Sequence, residues 1–166
     1  MSYQIRAATA ADVSAIHQLV IALADFEELS HLVVATEADL RNALFGTAPR
    51  VECLVVSQAD EDALVAFALF FQNYSTFLGR PGLYLEDLFV MPAHRRQGLA
   101  RALMQQLAQT AQARGCGRFE WSVLDWNQRA ITFYEGLGAT VLPEWRIVRM
   151  TGPALEALAS ATVSGP

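Results

Sequence analysis

Apolar and polar residues recur along this chain with two periods, one typical of helices and one typical of strands. A short strand is predicted at residues 4–7. Residues 9–12 and 36–39 read TAAD and TEAD, two capping-box spacings that predict the starts of the first two helices. The apolar positions after the first box follow the spacing of one helical face and are Val13, Ile16, Val20 and Leu23.

The middle of the chain has the composition of a β-sheet. Three runs rich in β-branched and aromatic residues, at 51–57, 63–71 and 83–90, predict strands. Polar residues at 59–62 separate the first two runs, so we expect these to form an antiparallel hairpin. Residues 79–82 read GRPG and predict the turn before the third strand.

Helical and strand patterns alternate in the last part of the chain. A helix is predicted from about residue 97 to 113, with Gly115 just past its end. A strand at 118–123, a helix at 127–137, a strand at 146–150 and a short helix after Pro153 follow. This order predicts an α/β fold, with a mixed, mostly antiparallel sheet of about six or seven strands flanked by helices. We expect a single domain over residues 1–160 and a flexible tail at 161–166.

The composition argues against a membrane protein, and the charge is unevenly distributed along the chain. The 166 residues are 53% apolar with a mean hydropathy of +0.24, yet no apolar run approaches the roughly 18 residues of a membrane span. No signal peptide is expected at the start, so we expect a cytoplasmic protein without a membrane partner. The net charge of −5 is uneven: residues 1–91 hold 12 acids and 4 arginines, and residues 92–166 hold 5 acids and 8 arginines. The basic part suits an anionic ligand and the acidic part a cationic one, although ordinary surface charge gives the same count.

The sequence gives no sign of a site for nucleic acid or for a metal. No basic stripe is interleaved with aromatic residues, so nucleic acid binding is not expected. Cys53 and Cys116 lack metal-ligand spacing and are expected to be buried thiols. His17, His31 and His94 are scattered, and no metal is expected.

The stretch 84–103, YLEDLFVMPAHRRQGLARAL, indicates a phosphate site. A strand that breaks at Pro92 and turns through Gly98 into a helix leaves backbone N–H groups free at the helix start. Gly98 allows close approach of a phosphate, while Arg95 and Arg96 can add charged hydrogen bonds. A Walker loop is excluded because the chain has no Lys, and the turn does not read GxGxxG.

Residues 95–100, RRQGLA, resemble the [QR]xxGx[GA] motif with which the GNAT superfamily of N-acetyltransferases binds the pyrophosphate of acetyl-CoA. The preceding strand, LEDLFV, and residues 126–139, WNQRAITFYEGLGA, are similar to further GNAT segments. The likeness is greatest to the diamine branch, which includes spermidine/spermine and thialysine-type acetyltransferases. Ser75 and Phe77 depart from the polyamine enzymes, which carry an acid and a Trp in this loop.

The resemblance implies an N-acetyltransferase that uses acetyl-CoA and no metal, acts on a small primary amine by direct transfer in a ternary complex, and is a homodimer. The residues that it implies for the cofactor are Leu88, Phe89, Val90, Arg95, Arg96, Gln97, Gly98, Leu99, Ala100, Arg101, Asn127, Ala130 and Tyr134. Of these, residues 88–90 would bind pantetheine through their backbone and supply the oxyanion donor. The residues that it implies for the amine are Phe26, Glu27, Glu86 and Asp87.

Acetyl transfer from a thioester to an amine requires a general base and a general acid. An alkylamine with a pKa near 10 must lose a proton before it attacks, and the resemblance assigns that task to Glu86, through a water. Neighbouring residues of a strand point to opposite faces, so Glu86 and Asp87 cannot share one task. An ion pair with Arg146 or Arg118 is the alternative for either acid. Tyr134 fits the acid that protonates the departing thiolate, and a structural aromatic is the alternative.

Two other functions remain open. Acetylation of a protein or peptide amine would need a shallow groove, whereas the aromatic residues Phe70, Phe71, Tyr74 and Phe77 predict a closed small pocket. A non-catalytic acyl-CoA-binding module would have no use for Glu86 and Tyr134.

Overall fold

The structure is a computed structural model that describes residues 2–58 and 63–161. In chain order its elements are β1 (Tyr3–Ala7), α1 (Val13–Phe26), α2 (Glu37–Phe45), β2 (Glu52–Gln58), β3 (Leu64–Ser75), β4 (Arg80–Val90), α3 (Leu99–Ala113), β5 (Arg118–Trp121), α4 (Gln128–Glu135) and α5 (Gly152–Ser160). Single 3₁₀ turns lie at Ala10–Asp12, Ser30–Leu32 and Pro92–His94. The chain divides into two compact units between Ser122 and Val123. The expected single domain over residues 1–160 stays a prediction.

The first unit holds a five-stranded sheet in the order β1-β2-β3-β4-β5. Neighbouring strands are antiparallel except β4 and β5, which run parallel. The predicted mixed, mostly antiparallel sheet is confirmed, and the predicted six or seven strands are too many. The strand expected at 146–150 is not formed in the described structure, where residues 140–151 have no helix or strand.

Buried side chains of α1 and β3 form the core on one face of the sheet. Val13 and Ile16 are completely buried, as the predicted helical stripe requires. Each large side chain in such a place stabilises the fold by about 1.5–3 kcal/mol. The cluster consists of Ile16, Leu19, Leu44, Cys53, Val55, Leu64, Phe67, Leu69 and Phe89. Helix α3 contributes a second buried face, with Leu99, Leu103, Met104, Leu107 and Ala111.

Both capping boxes are present. At the first, the Asp12 carboxylate accepts 2.7 and 2.8 Å hydrogen bonds from Arg6 and one of 2.7 Å from the Thr9 N–H. The bonds to Arg6 hold the pKa of Asp12 well below its usual range, and they tie β1 to the start of α1. At the second, Thr36 Oγ1 accepts from the Asp39 N–H at 3.2 Å.

Of the two turns predicted within the sheet, the one before β4 lies earlier in the chain than expected. Antiparallel pairing of β2 with β3 confirms the hairpin, while its turn at 59–62 lies outside the described residues, as does the tail at 162–166. Strand β4 begins at Arg80 and not at residue 83, because the turn is made by residues 76–79 and ends at Gly79 with φ +61°. None of the described helices is both long enough and apolar enough to cross a membrane.

Candidate active site

Strand β4 carries both acids of the candidate site, and its pairing with β3 is irregular beside them. Leu69 of β3 pairs with Asp87, but the next residue of β3, Phe70, pairs with Leu85. Glu86 is therefore the extra residue of a β-bulge, which bends the strand and re-aims the side chains next to it. The uninterrupted alternation of faces assumed from the sequence is broken here.

The two acids have different surroundings. Glu86 is exposed, whereas Asp87 is half-buried. Burial raises the pKa of Asp87 to about 6, and the negative charges of Glu86 and Glu27 add to that rise. Strongly shifted carboxyls of this kind are typical of functional sites.

Glu27 belongs to the same group of acids although it comes from a different element. It follows the last residue of α1, Phe26, and burial raises its pKa. The structure therefore brings Glu27 close enough to Asp87 for their charges to repel. The predicted substrate residues Glu27, Glu86 and Asp87 interact electrostatically, which favours a cationic ligand there. Of the two arginines considered as ion-pair partners, Arg118 pairs with Glu120 at 2.7 Å.

One edge of β4 lacks a strand partner where the cofactor was predicted to bind. Parallel pairing with β5 covers only residues 82–85 of β4. On the other edge, β3 remains paired with β4 as far as Val90. Beyond Leu85 the backbone groups that β4 directs to the β5 side thus meet no strand in the described structure, although the Val90 carbonyl accepts a hydrogen bond from Nε of Arg95. An extended ligand with amide groups can bind such an edge as a strand does.

The predicted phosphate turn connects β4 to α3. Gly98 precedes α3 with φ +78°, and Arg96 also has a positive φ, of +64°. Hydrogen bonding inside α3 starts with the Ala102 N–H, which donates to the Gly98 carbonyl at 3.0 Å. The N–H groups of Leu99, Ala100 and Arg101 come before that bond and lie at the positive end of the helix. A Cβ built on Gly98 meets nothing within 4 Å, so the turn has open space beside it.

The two arginines of the turn are placed differently. Arg96 is exposed, as are Gln97 and Arg101. Arg95 is half-buried, and its guanidinium carbon lies 4.6 Å from the centre of the Phe26 ring. Whether each binds phosphate, as the motif implies, stays a prediction.

A contact between β1 and the segment before the turn was not predicted. The Tyr3 hydroxyl forms a 3.1 Å hydrogen bond with Nδ1 of His94, and the two rings pack edge to face. The contact supports the 3₁₀ turn that leads into the phosphate turn. The two residues are 91 positions apart, so no local pattern in the sequence could reveal it.

The second unit contains the remaining predicted residues. Asn127 caps α4, with its side-chain oxygen accepting from the Ala130 N–H at 3.2 Å, which confirms its predicted structural task. Tyr134 is half-buried on α4, and its ring lies 5.3 Å from that of Phe133. The predicted roles of Asn127, Ala130 and Tyr134 toward the cofactor stay predictions.

Two of the aromatic residues at the β3–β4 connection are exposed, although they were expected to enclose a small pocket. Phe70 is buried in the sheet, whereas Tyr74 is 61% and Phe77 98% exposed. Ser75 is buried, and its hydroxyl accepts from the Leu78 N–H at 3.3 Å. The closed pocket expected from these aromatics is wrong as far as Phe77 is concerned, because this residue lies in the turn and not on the sheet.

Comparison with known proteins decides the family. The model of the acetyltransferase (GNAT) family matches residues 17–139, which include β4, the phosphate turn and α4. The chain belongs to the GNAT family of acetyltransferases. The resemblance found in the sequence and the predicted α/β fold of that family are thereby confirmed, and the chain is an acyltransferase of the N-acetyltransferase type.

Relatives of this GNAT chain carry specific names. A thialysine N-epsilon-acetyltransferase from Mus musculus is 38% identical over 167 residues, covering 95% of this chain and 98% of the mouse protein. An L-ornithine N5-acetyltransferase from Arabidopsis thaliana is 37% identical over 201 residues, covering 95% and 88%. Among solved structures, an integron cassette protein from V. cholerae is 26% identical with a TM-score of 0.80, covering 97% of this chain and 99% of that one. The named relatives confirm the diamine-type branch.

Proposed function

We propose that this GNAT enzyme transfers the acetyl group of acetyl-CoA to a primary amine of a small molecule: a diamine, a polyamine or a lysine-like amino acid. The group of carboxyls formed by Glu27, Glu86 and Asp87 carries this proposal, because it favours a cationic acceptor beside the strand edge where the cofactor is expected. Ornithine and thialysine, the substrates in the relatives' names, each end in a primary amine.

The fit of acetyl-CoA rests on two features of the first unit. The edge of β4 that has no strand partner beyond Leu85 suits the two amides of the pantetheine arm, which would lie along Leu88, Phe89 and Val90. The turn at 95–100 offers N–H groups at the start of α3, with Arg96 and Arg101 exposed beside them, and suits the pyrophosphate. By the family resemblance, Asn127, Ala130 and Tyr134 also contact the cofactor.

The proposed chemistry is direct transfer in a ternary complex. Glu86 accepts a proton from the ammonium group through a water, so that the free amine attacks the thioester carbonyl. An N–H of residues 88–90 stabilises the negative charge that develops on the carbonyl oxygen. As the C–N bond forms and the C–S bond breaks, Tyr134 donates a proton to the leaving thiolate, and the second proton that the nitrogen loses on becoming an amide returns through water to the Tyr134 phenolate.

The cysteines support a mechanism without an acyl-enzyme. Cys53 is buried in the core, and burial raises the pKa of its thiol to about 12. A thiol is a poor nucleophile at neutral pH when its pKa lies so high. Cys116 precedes Gly117, whose N–H donates to the Pro81 carbonyl at 2.8 Å, so it lies at the start of β4 and not at the end where acetyl-CoA is expected.

A homodimer and a cytoplasmic location also belong to this proposal. Residues 140–151 expose several apolar side chains that a second subunit would cover, among them Trp145, Ile147 and Val148. Light scattering during size-exclusion chromatography would test the dimer, and a mass of 18.2 kDa in solution would contradict it.

An acceptor panel tests the proposed activity. Acetyl-CoA is incubated with the enzyme and L-ornithine, thialysine, L-lysine, 1,3-diaminopropane, spermidine or an N-terminally free peptide, and the released CoA thiol is measured. We expect release with one or more of the small amines and none above background with the peptide. Release with the peptide alone would favour protein acetylation, and no release with any acceptor would overturn the proposal.

A further inference from the structure

Arg95 is restrained at three points by its neighbours. Its Nε donates a 3.0 Å hydrogen bond to the carbonyl of Val90, the last residue of β4. Its guanidinium carbon lies 4.6 Å from the ring centre of Phe26 and 5.7 Å from that of Phe89. Both distances lie within the range of cation–π interactions. The first residue of the phosphate turn is thus attached to the end of α1 as well as to β4.

The end of α1 is itself fixed. The Glu27 N–H donates to the Leu23 carbonyl at 3.0 Å, and the Leu29 N–H donates to the Ala24 carbonyl at 2.8 Å. Between them Glu28 takes a left-handed conformation, with φ +61°, that terminates the helix. Phe26 and Glu27 are adjacent in this segment, so contacts that hold the Phe26 ring also hold the backbone that carries the Glu27 carboxyl.

These contacts form a continuous chain between two parts of the proposed site. At one end the phosphate turn holds Arg95, and at the other Glu27 lies in the field of Asp87. The stacked pair Arg95–Phe26 is the link between them. Because 41% of Phe26 remains exposed, its ring is also accessible to a ligand at this end of α1.

We propose that Arg95 is a positioning residue that couples the binding of acetyl-CoA to the binding of the amine through its stacking on Phe26. This inference rests on the proposed function, since it assigns the turn to the cofactor and Glu27 to the acceptor. Pyrophosphate bound at the turn holds the guanidinium in this stacked position, and the guanidinium holds the Phe26 ring next to Glu27. By linkage, each ligand raises the affinity for the other by the same factor. A stacking contact of this kind accounts for a factor of about three to ten.

A double-mutant cycle on the affinity for CoA tests the contact between Arg95 and Phe26, and the same titrations repeated with saturating L-ornithine test the coupling, since the amine should raise the CoA affinity of the wild type and not that of Phe26→Leu. Calorimetry with free CoA is run on the wild type, Phe26→Leu, Arg95→Met and the double variant. We expect Phe26→Leu to weaken CoA binding about three- to tenfold in the wild-type background and to have no further effect once Arg95 is Met. Equal effects of Phe26→Leu in both backgrounds, or no effect in either, would overturn the proposal.

The chain offers a matched control for the shortened ring. Phe45 is the last residue of α2 and 37% exposed, so Phe45→Leu removes a similar aromatic from the end of another helix. We expect its CoA affinity to equal that of the wild type. A loss as large as that of Phe26→Leu would show a general effect on the fold and would contradict the link.

Arg95→Lys separates stacking from charge. Lys keeps the positive charge but lacks the planar group and the Nε donor, so we expect it to behave like Met in the cycle. If Phe26→Leu weakens CoA binding as much in the Arg95→Lys background as in the wild type, the positive charge beside the phosphate is sufficient. The proposal would then fail. If wild-type enzyme does not bind CoA at all, the proposed function itself fails. If it binds CoA and the cycle shows no coupling, only the link between Arg95 and Phe26 is wrong.

Discussion

The carboxyl of Glu27, at the end of α1, adds its negative charge to the field at Asp87, on β4. Burial is the larger cause that raises the pKa of Asp87 to about 6, and Glu86 contributes as well. A group of acids that repel one another destabilises the empty site, and a bound cation relieves that repulsion. The arrangement therefore favours the binding of an amine in its protonated form before one proton is removed.

Asp87→Asn should stabilise the folded protein at pH 7.5. The folded-state pKa of Asp87 is raised from 3.8 to about 6, so the folded state prefers the protonated form and loses stability as the pH rises through 6. The gain at pH 7.5 should be at most about 3 kcal/mol, and it should vanish below about pH 4, where both states are protonated. Urea unfolding at the two pH values measures it. Glu156→Gln, which neutralises an exposed carboxyl on α5, is the control and should change neither value. Lower stability of Asp87→Asn at pH 7.5 would contradict the assignment.

The affinity for the amine should depend on the charge of Asp87. As the pH falls through about 6, Asp87 takes up a proton, and the KM for a cationic acceptor should rise. In Asp87→Asn the KM should be high at every pH and this dependence should be absent. Initial rates at saturating acetyl-CoA between pH 5 and 8, a window set by the shifted pKa, measure both. A KM that rises equally in wild type and variant would exclude Asp87 as its cause.

Glu86→Gln should move the activity to higher pH. Without a carboxylate to accept the proton, turnover depends on the fraction of amine that is already uncharged, and that fraction grows toward a pKa near 10. The pH profile of kcat should therefore rise at a higher pH than in the wild type, with CoA affinity unchanged. A profile that coincides with the wild type would remove Glu86 as the base.

Gly98→Ala should weaken acetyl-CoA binding more than it destabilises the fold. Gly98 has φ +78° with open space around it, so Ala there costs about 1 kcal/mol of backbone strain and places a methyl group where phosphate is expected. Gly115→Ala is the matched control, because Gly115 has φ +67°, open space, and lies at the other end of α3. Both variants should lose similar stability, and only Gly98→Ala should lose about tenfold or more in affinity by calorimetry. Equal affinities in the two variants would contradict the phosphate turn.

Tyr134→Phe should lower kcat about 10- to 100-fold and leave unfolding by urea unchanged. The ring that packs beside Phe133 is kept, and only the hydroxyl proposed as the acid is lost. A wild-type kcat would show that another group protonates the thiolate.

Features of the fold with local signals were predictable. The capping residues Thr9 and Asp12 act over three positions, and the turn through Gly98 into α3 follows from a short local motif. The bulge at Glu86 was not predictable, since it depends on how β3 pairs with β4. The stacking of Arg95 on Phe26 likewise joins residues far apart in sequence. The strand expected near Ile147 failed for a related reason: a run of β-formers becomes a strand only where another strand pairs with it.

The most direct test of the account is mass spectrometry of reactions that contain acetyl-CoA with an isotopically labelled acetyl group and each small amine of the panel. The account predicts a labelled N-acetyl product on a primary amine, formed in equal amount with free CoA, and no label on the enzyme. Label that accumulates on the enzyme or only on a peptide, or no labelled product with any amine, would contradict it.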